Sequence, residues 1–150
     1  MMKIEEYHDE FWQWIEAHAY DDPIKLRLGA SKWPEPWIHE AINQIQRRKR
    51  CAKKLPKFVS SPIAFIPTDL STEQSTSEAL ADFHASLINE GDTVADLTSG
   101  LGIDAVAFAM RAKEVTAIER DQSVAEALRY NAQVFGLSNL SVINADCEEW

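Results

Sequence analysis

The sequence predicts an α/β protein in which a small helical domain, residues 1–57, precedes the first half of a doubly wound parallel sheet, residues 91–150. Two observations carry this prediction. Apolar residues in the first 57 positions recur at helical spacing, whereas strand-like and helix-like segments alternate with short links from Gly91 onwards. Such alternation is typical of parallel strands joined by right-handed crossovers. Residues 58–90 are then expected to be a connector and a leading helix.

The N-terminal domain is expected to be helical between its turn signals. Its second helix should have Asp22 as N-cap and Pro23 as first residue, and it should end at Gly29. Four of the five tryptophans lie between residues 12 and 37. We expect these tryptophans to fill a small helical core.

The segment before the sheet contains an apolar, proline-broken stretch, FVSSPIAFIPTDL, which we expect to be an extended connector. A helix should follow it, opened by a capping box from Ser75 to Glu78. The residues expected on its buried face are Leu80, Phe83, Leu87 and Ile88.

Three strand-like segments, TVADL, EVTAIE and LSVIN, are separated by helix-like segments, the second of which should be capped by Asp121. This order predicts a Rossmann-like sheet of three parallel strands. Because a doubly wound sheet continues for about as many strands again, the chain is expected to be the front part of a longer protein.

The stretch DLTSGLGIDA predicts a ligand site at the carboxyl end of the first strand, where open α/β sheets bind ligands. Gly100 and Gly102 allow a sharp turn and close approach of the backbone. The turn also fits the dinucleotide pattern G-x-G-x-x-A, which is weak evidence alone. Glu119, at the end of the second strand, could accept both ribose hydroxyls of a dinucleotide or of S-adenosylmethionine.

Acidic residues around the turn favour S-adenosylmethionine over a dinucleotide. Asp96 and Asp104 would repel a pyrophosphate, whereas the sulfonium and ammonium of S-adenosylmethionine favour nearby carboxylates. Asp146, after the third strand, could accept from an adenine amino group. A nicotinamide-dependent dehydrogenase remains the alternative, and Asp96 and Asp104 could instead serve only as caps.

The motifs DLTSGLGID, VTAIERD and VINAD resemble the first three cofactor motifs of class I S-adenosylmethionine-dependent methyltransferases. Thr98 stands where that family usually has its first glycine, as in trimethylguanosine synthase-like and other RNA methyltransferases. The chain is also similar to bacterial methyltransferases that carry a THUMP-like domain. The resemblance implies strand order 3-2-1, S-adenosylmethionine as the cofactor and an RNA substrate.

The resemblance also implies roles for particular residues. Glu119 would hold the ribose, Asp146 the adenine, and Asp96 the ammonium of the cofactor. The residues expected along its methionine portion are Gly100, Gly102, Gln74, Ser75 and Ser77. Catalytic residues of such enzymes commonly follow a fourth strand, so none is named and the chain alone is expected to be inactive.

The net charge of −9 does not indicate a nucleic-acid-binding protein, but residues 47–57 contain seven basic residues and no acid. We expect these residues to lie along an exposed helix end and to contact RNA phosphates, which leaves a non-catalytic RNA-binding module as a further alternative. They are Arg47, Arg48, Lys49, Arg50, Lys53, Lys54 and Lys57.

Further sequence features bear on where the protein is found and on what it associates with. No segment has the apolar length of a membrane span, and the N-terminus lacks the order of a signal peptide. The two distant cysteines are expected to be reduced in the cytoplasm, and the isolated histidines predict no metal site. The first strand, lacking lysine and proline, is expected to be an exposed edge through which the chain self-associates.

Overall fold

The computed structural model describes residues 4–29 and 33–150, except for the side chain of Glu5. A 3-10 turn at Ile4–Glu6 precedes helices α1 (Asp9–Ala17), α2 (Pro23–Gly29) and α3 (Glu35–Cys51). The Asp22 carboxylate accepts a hydrogen bond from the backbone N–H of Ile24 at 2.9 Å, as expected of an N-cap. Trp12 and Trp37 are buried with Phe11 in the core between α1 and α3, whereas Trp14 and Trp33 are half-buried and pack against it. Two of the four tryptophans predicted to fill the core are therefore buried in it.

The connector is more helical than expected. Helix α4 (Pro56–Ser60) begins it and helix α5 (Asp69–Gln74) follows it, so only residues 64–68 between them are without helix or turn. Proline at the first position of a helix has its φ angle already set. The first backbone N–H groups of α4, from Lys57 and Phe58, donate to the Glu78 carboxylate at 2.9 and 2.6 Å. This long-range contact stabilises a short helix that the proline-broken sequence does not predict.

The predicted capping box of Ser75 and Glu78 is wrong. Thr68 and Ser71 form the capping box that opens α5, and Ser77 is the N-cap of helix α6 (Glu78–Ser86). Ser75 instead ends α5, where its hydroxyl donates to the Thr72 carbonyl at 3.0 Å. Glu78 cannot complete a box with Ser75 because its carboxylate lies against α4.

The predicted buried face of α6 is wrong for three of its four residues; the fourth, Ile88, is half-buried just after the helix and packs against the core. Leu80, Phe83 and Leu87 are 47%, 59% and 70% exposed, while Ala81 and Ala85 are buried. The small alanine side chains lie in the core beside Ile103 and Ala107 of the following helix. The larger side chains consequently lie on the solvent side of α6.

The sheet contains β1 (Thr93–Asp96), β2 (Glu114–Glu119) and β3 (Leu140–Asn144), all parallel, in the order β3-β2-β1. Helices α7 (Ile103–Ala109) and α8 (Gln122–Val134) connect the strands. The fold class and strand order therefore match the prediction. Asp121 caps α8 by accepting from the N–H groups of Ser123 and Val124 at 2.8 and 3.1 Å. No helix within residues 4–29 and 33–150 has the length and apolar character to cross a membrane.

Residues 64–66 join the N-terminal helices to the sheet through two buried side-chain amides. The Asn131 amide of α8 accepts from the Phe65 N–H and donates to the Phe65 carbonyl, both at 2.8 Å. The Gln44 amide of α3 accepts from the Ile66 N–H at 3.1 Å and donates to its carbonyl at 2.8 Å. Because this segment has no neighbouring strand among the described residues, these two side chains satisfy the buried backbone groups of Phe65 and Ile66.

Candidate cofactor site

A cavity of about 850 Å³ lies at the carboxyl ends of the three strands. Parallel pairing brings Asp96, Glu119 and Asn144 to the same edge of the sheet, since each ends its strand. The walls are formed by residues 97–104 of the glycine turn, 118–121 after β2, 145–148 after β3, and parts of 68–76. This is the edge at which doubly wound sheets bind ligands.

The two glycines of the turn serve different structural purposes. Gly100 and Gly102 have φ angles of +52° and +83°, a region that other residues rarely adopt. A Cβ atom at Gly102 would lie 2.1 Å from the Leu128 Cδ1 atom, so close packing of the turn on α8 requires glycine there. A Cβ atom at Gly100 would meet no atom within 4 Å. Gly100 therefore leaves open space at the cavity wall.

Glu119 is fixed by backbone donors on two sides. Its Oε2 atom accepts from the Gly100 N–H at 2.9 Å, and its Oε1 atom accepts from the Asp121 N–H at 2.8 Å. Each carboxylate oxygen has a further acceptor position. The side chain lines the cavity and is half-buried, so it can accept two hydroxyl groups from a ligand.

The site has an excess of negative charge. Burial raises the pKa of the Asp96 carboxyl, and the neighbouring Asp104 and Glu119 raise it further, against the lowering effect of the Thr98 N–H and Ser99 hydroxyl. Both neighbouring acids line the cavity, whereas Asp96 does not. This arrangement suits a cationic ligand and disfavours a pyrophosphate.

The other predicted residues divide between cavity and scaffold. Gln74, Ser75 and Asp146 line the cavity. Ser77 does not, because its hydroxyl accepts from the Leu80 N–H at the start of α6. Thr76, absent from the prediction, lines the cavity in its place. Serine and threonine alternate through this stretch, so its sequence carries no signal that separates capping from lining positions.

The basic segment differs from the exposed helix end that the sequence predicts. Arg47 is only 11% exposed and pairs with Glu40 at 3.0 Å and Asp69 at 3.2 Å. Lys54 donates to the carbonyls of Thr72 and Glu73 at 3.1 and 3.0 Å. The prediction that all seven residues are exposed is thus wrong, because long-range acceptors hold several of them. The basic residues that remain exposed are Lys49, Arg50, Lys53 and Lys57.

Arg48 departs furthest from that prediction. Its guanidinium donates to four backbone carbonyls of the connector, and burial lowers its pKa to about 10. It also lies over the Trp12 ring, with 5.8 Å between the guanidinium carbon and the ring centroid. Arg48 therefore holds the connector against α3 and is not available to phosphates.

One solved structure shares this architecture over nearly the whole chain. A crystal structure from Porphyromonas gingivalis W83, described as a proposed methyltransferase, is 30% identical with a TM-score of 0.82 over 93% of this chain. The chain spans only 35% of that protein. A dimethyladenosine transferase from Plasmodium falciparum is 26% identical, covers 44% of this chain and 24% of its own, and has a TM-score of 0.42. No curated protein is significantly similar in sequence.

The family match rests on the half of the chain that builds the cavity. Residues 73–150 match the model of the ribosomal RNA adenine dimethylase family. The match begins at the end of α5 and includes the glycine turn, all three strands and the acidic residues at their carboxyl ends. The chain therefore belongs to the ribosomal RNA adenine dimethylase family, whose members are class I S-adenosylmethionine-dependent methyltransferases.

Proposed function

We propose that the cavity at the strand ends binds S-adenosylmethionine and that the protein transfers its methyl group to RNA. The observation that carries the proposal is a set of carboxylates around an open glycine turn: Asp104 and Glu119 line the cavity, and Asp96 is close enough to both for their charges to raise its pKa. A cation beside Asp96 would offset the unfavourable burial of its charge. A pyrophosphate would add charge of the same sign to these acids.

Each part of the cofactor has a proposed partner. Glu119 accepts from the ribose hydroxyls, because its oxygens are already oriented by two backbone donors. Asp146 accepts from the adenine amino group at the end of β3. Asp96 attracts the ammonium through its nearby negative charge. The residues proposed along the methionine portion are Gly100, Gly102, Gln74 and Ser75, with Ser77 acting through the start of α6.

The proposed chemistry requires mainly positioning. The sulfonium of the bound cofactor supplies an electrophilic methyl group for in-line displacement. The glycine turn and Glu119 would hold the nucleoside in one place, and orientation of this kind can contribute about 7–11 kcal/mol to a two-reactant step. We propose no residue of this chain as the binding site of the RNA atom that accepts the methyl group.

Binding measurements test the proposal directly. In calorimetric titrations, we expect the protein to bind S-adenosylhomocysteine and not NAD. The nicotinamide-dependent alternative predicts the reverse order of affinities. Binding of RNA without any binding of S-adenosylhomocysteine would instead support a non-catalytic RNA-binding module.

The exposed basic residues are the proposed RNA-contacting surface. Lys49 and Lys53 are exposed on the end of α3 and the turn after it. Replacing both by alanine should weaken RNA binding and flatten the slope of log affinity against log salt by roughly 0.7–0.9 per lost phosphate contact. Fluorescence anisotropy at several salt concentrations measures this slope.

The control is the Arg111→Ala, Lys113→Ala double variant, which removes the same charge from exposed positions before β2. It should retain the slope of the unmodified protein. Equal losses in the two double variants would show that net charge, and not this surface, determines RNA binding.

We also propose that β1 mediates self-association. In the part of the chain that the structure describes, β1 pairs only with β2, so its other edge has unpaired backbone groups. Leu97, which directly follows β1, is an exposed apolar side chain. An unprotected edge beside an apolar surface favours pairing with another copy.

Sedimentation over a range of concentrations tests this proposal. The average mass should rise with concentration, and Ala95→Lys, which places a charge on β1, should suppress the rise. Ala52→Lys makes the same change at an exposed position after α3 and should have no effect. A mass that stays monomeric at every concentration would rule out the proposed association.

A further inference from the structure

Asp104 is the centre of a polar cluster that joins three elements at the cavity wall. Its Oδ1 atom lies 2.8 Å from the His84 Nδ1 atom, and its Oδ2 atom accepts from the Thr76 hydroxyl. Asp104 is in the first turn of α7, His84 is in α6, and Thr76 is in the loop between α5 and α6. The Asp104 side chain is 22% exposed, so water competes only weakly for these bonds.

The cluster connects the cavity wall to the glycine turn. Residues 74–76 form part of that wall, and Asp104 lies two residues after Gly102. On the other side, Lys54 donates to the Thr72 and Glu73 carbonyls, which holds the end of α5 against the turn that follows α3. The Thr76–Asp104 bond therefore sets how the end of α5 stands relative to the turn.

The cluster is not the hydroxyl–imidazole pair of a catalytic triad. A hydroxyl is activated when it donates to a base such as an imidazole. Here the Thr76 hydroxyl donates to the Asp104 carboxylate, and the imidazole of His84 bonds a different oxygen of the same carboxylate. The geometry points to orientation of the loop.

We propose that Asp104, oriented by His84, is a positioning residue that fixes Thr76 and thereby the 74–76 wall against the methionine portion of the cofactor. This inference rests on the proposed function. The cluster should therefore affect binding of the methionine portion alone. Binding of the adenosine portion, at the ends of β2 and β3, should not depend on the cluster.

The test compares S-adenosylhomocysteine with adenosine, which lacks the methionine portion. Thr76→Val removes the hydroxyl at nearly constant volume and should weaken S-adenosylhomocysteine binding by about threefold to tenfold, the range of one hydrogen bond. Adenosine affinity should stay within about twofold. Thr76→Ser restores the hydroxyl and should recover the affinity for S-adenosylhomocysteine.

Two controls keep the result interpretable. Thr116→Val makes the same change within β2, away from the cavity, and should bind both ligands normally. Hydrogen exchange should be faster at residues 74–77 in Thr76→Val than in Thr76→Ser. This measurement reports how well the loop is held in place without any ligand.

Failure of the unmodified protein to bind S-adenosylhomocysteine would overturn the proposed function. Normal binding by Thr76→Val, or equal loss for both ligands, would overturn this inference alone.

Discussion

Gly102→Ala is expected to lower the free energy of unfolding by about 2–5 kcal/mol, combining the cost of a left-handed residue with that of overpacking. The new Cβ atom would lie 2.1 Å from the Leu128 Cδ1 atom, and Leu128 is itself 1% exposed in the core. Neither the turn nor α8 can accommodate the methyl group without shifting. Denaturant unfolding followed by circular dichroism measures the loss.

Gly100→Ala is the matched control, since it adds the same atom to the same turn at a positive φ angle. With no atom within 4 Å of the new Cβ, only the conformational cost of about 1–2 kcal/mol should appear. The difference between the two variants isolates packing against α8. Equal losses would show that Leu128 does not restrict the turn.

Asn131→Leu should produce a comparable loss, about 2–5 kcal/mol, because it leaves two buried backbone groups without partners. The Asn131 side chain is fully buried and satisfies both the N–H and the carbonyl of Phe65. Leucine has a similar size but can make neither hydrogen bond. The same unfolding measurement applies.

Gln133→Leu provides the comparison, because it replaces an exposed amide two residues further along α8. It should change the free energy of unfolding by less than about 0.5 kcal/mol, as exposed substitutions usually do. If Asn131→Leu were equally mild, residues 64–66 would not depend on the side-chain amide for their position.

The sheet, and the edge of it at which the cavity lies, could be predicted because the sequence patterns that specify them each span only a few residues. Alternating segments, a glycine turn and an N-cap such as Asp121 are each specified within a few residues. Parallel pairing then places the ends of consecutive strands at one edge without further information. The cavity position and the presence of Glu119 in its wall follow from that geometry.

The features that sequence could not predict depend on partners far along the chain. Arg48 bonds carbonyls between residues 59 and 64, so its charge alone says nothing about its burial. Glu78 bonds α4 instead of completing a local box. The apolar pattern of α6 likewise suggests a buried leucine face, but close packing on α7 selects the alanine face. Asp104 contacts His84 only because α7 packs against α6.

The most direct test of the cofactor site is the affinity of Glu119→Ala for S-adenosylhomocysteine, measured by calorimetry. Loss of charge-assisted hydrogen bonds to the ribose, each worth about 1.5–3 kcal/mol, should weaken binding by about tenfold to a hundredfold. Glu114→Ala removes the same charge from the opposite, exposed end of β2 and should bind normally. Unchanged affinity in Glu119→Ala would show that the ribose does not lie at the end of β2 and would contradict the proposed site.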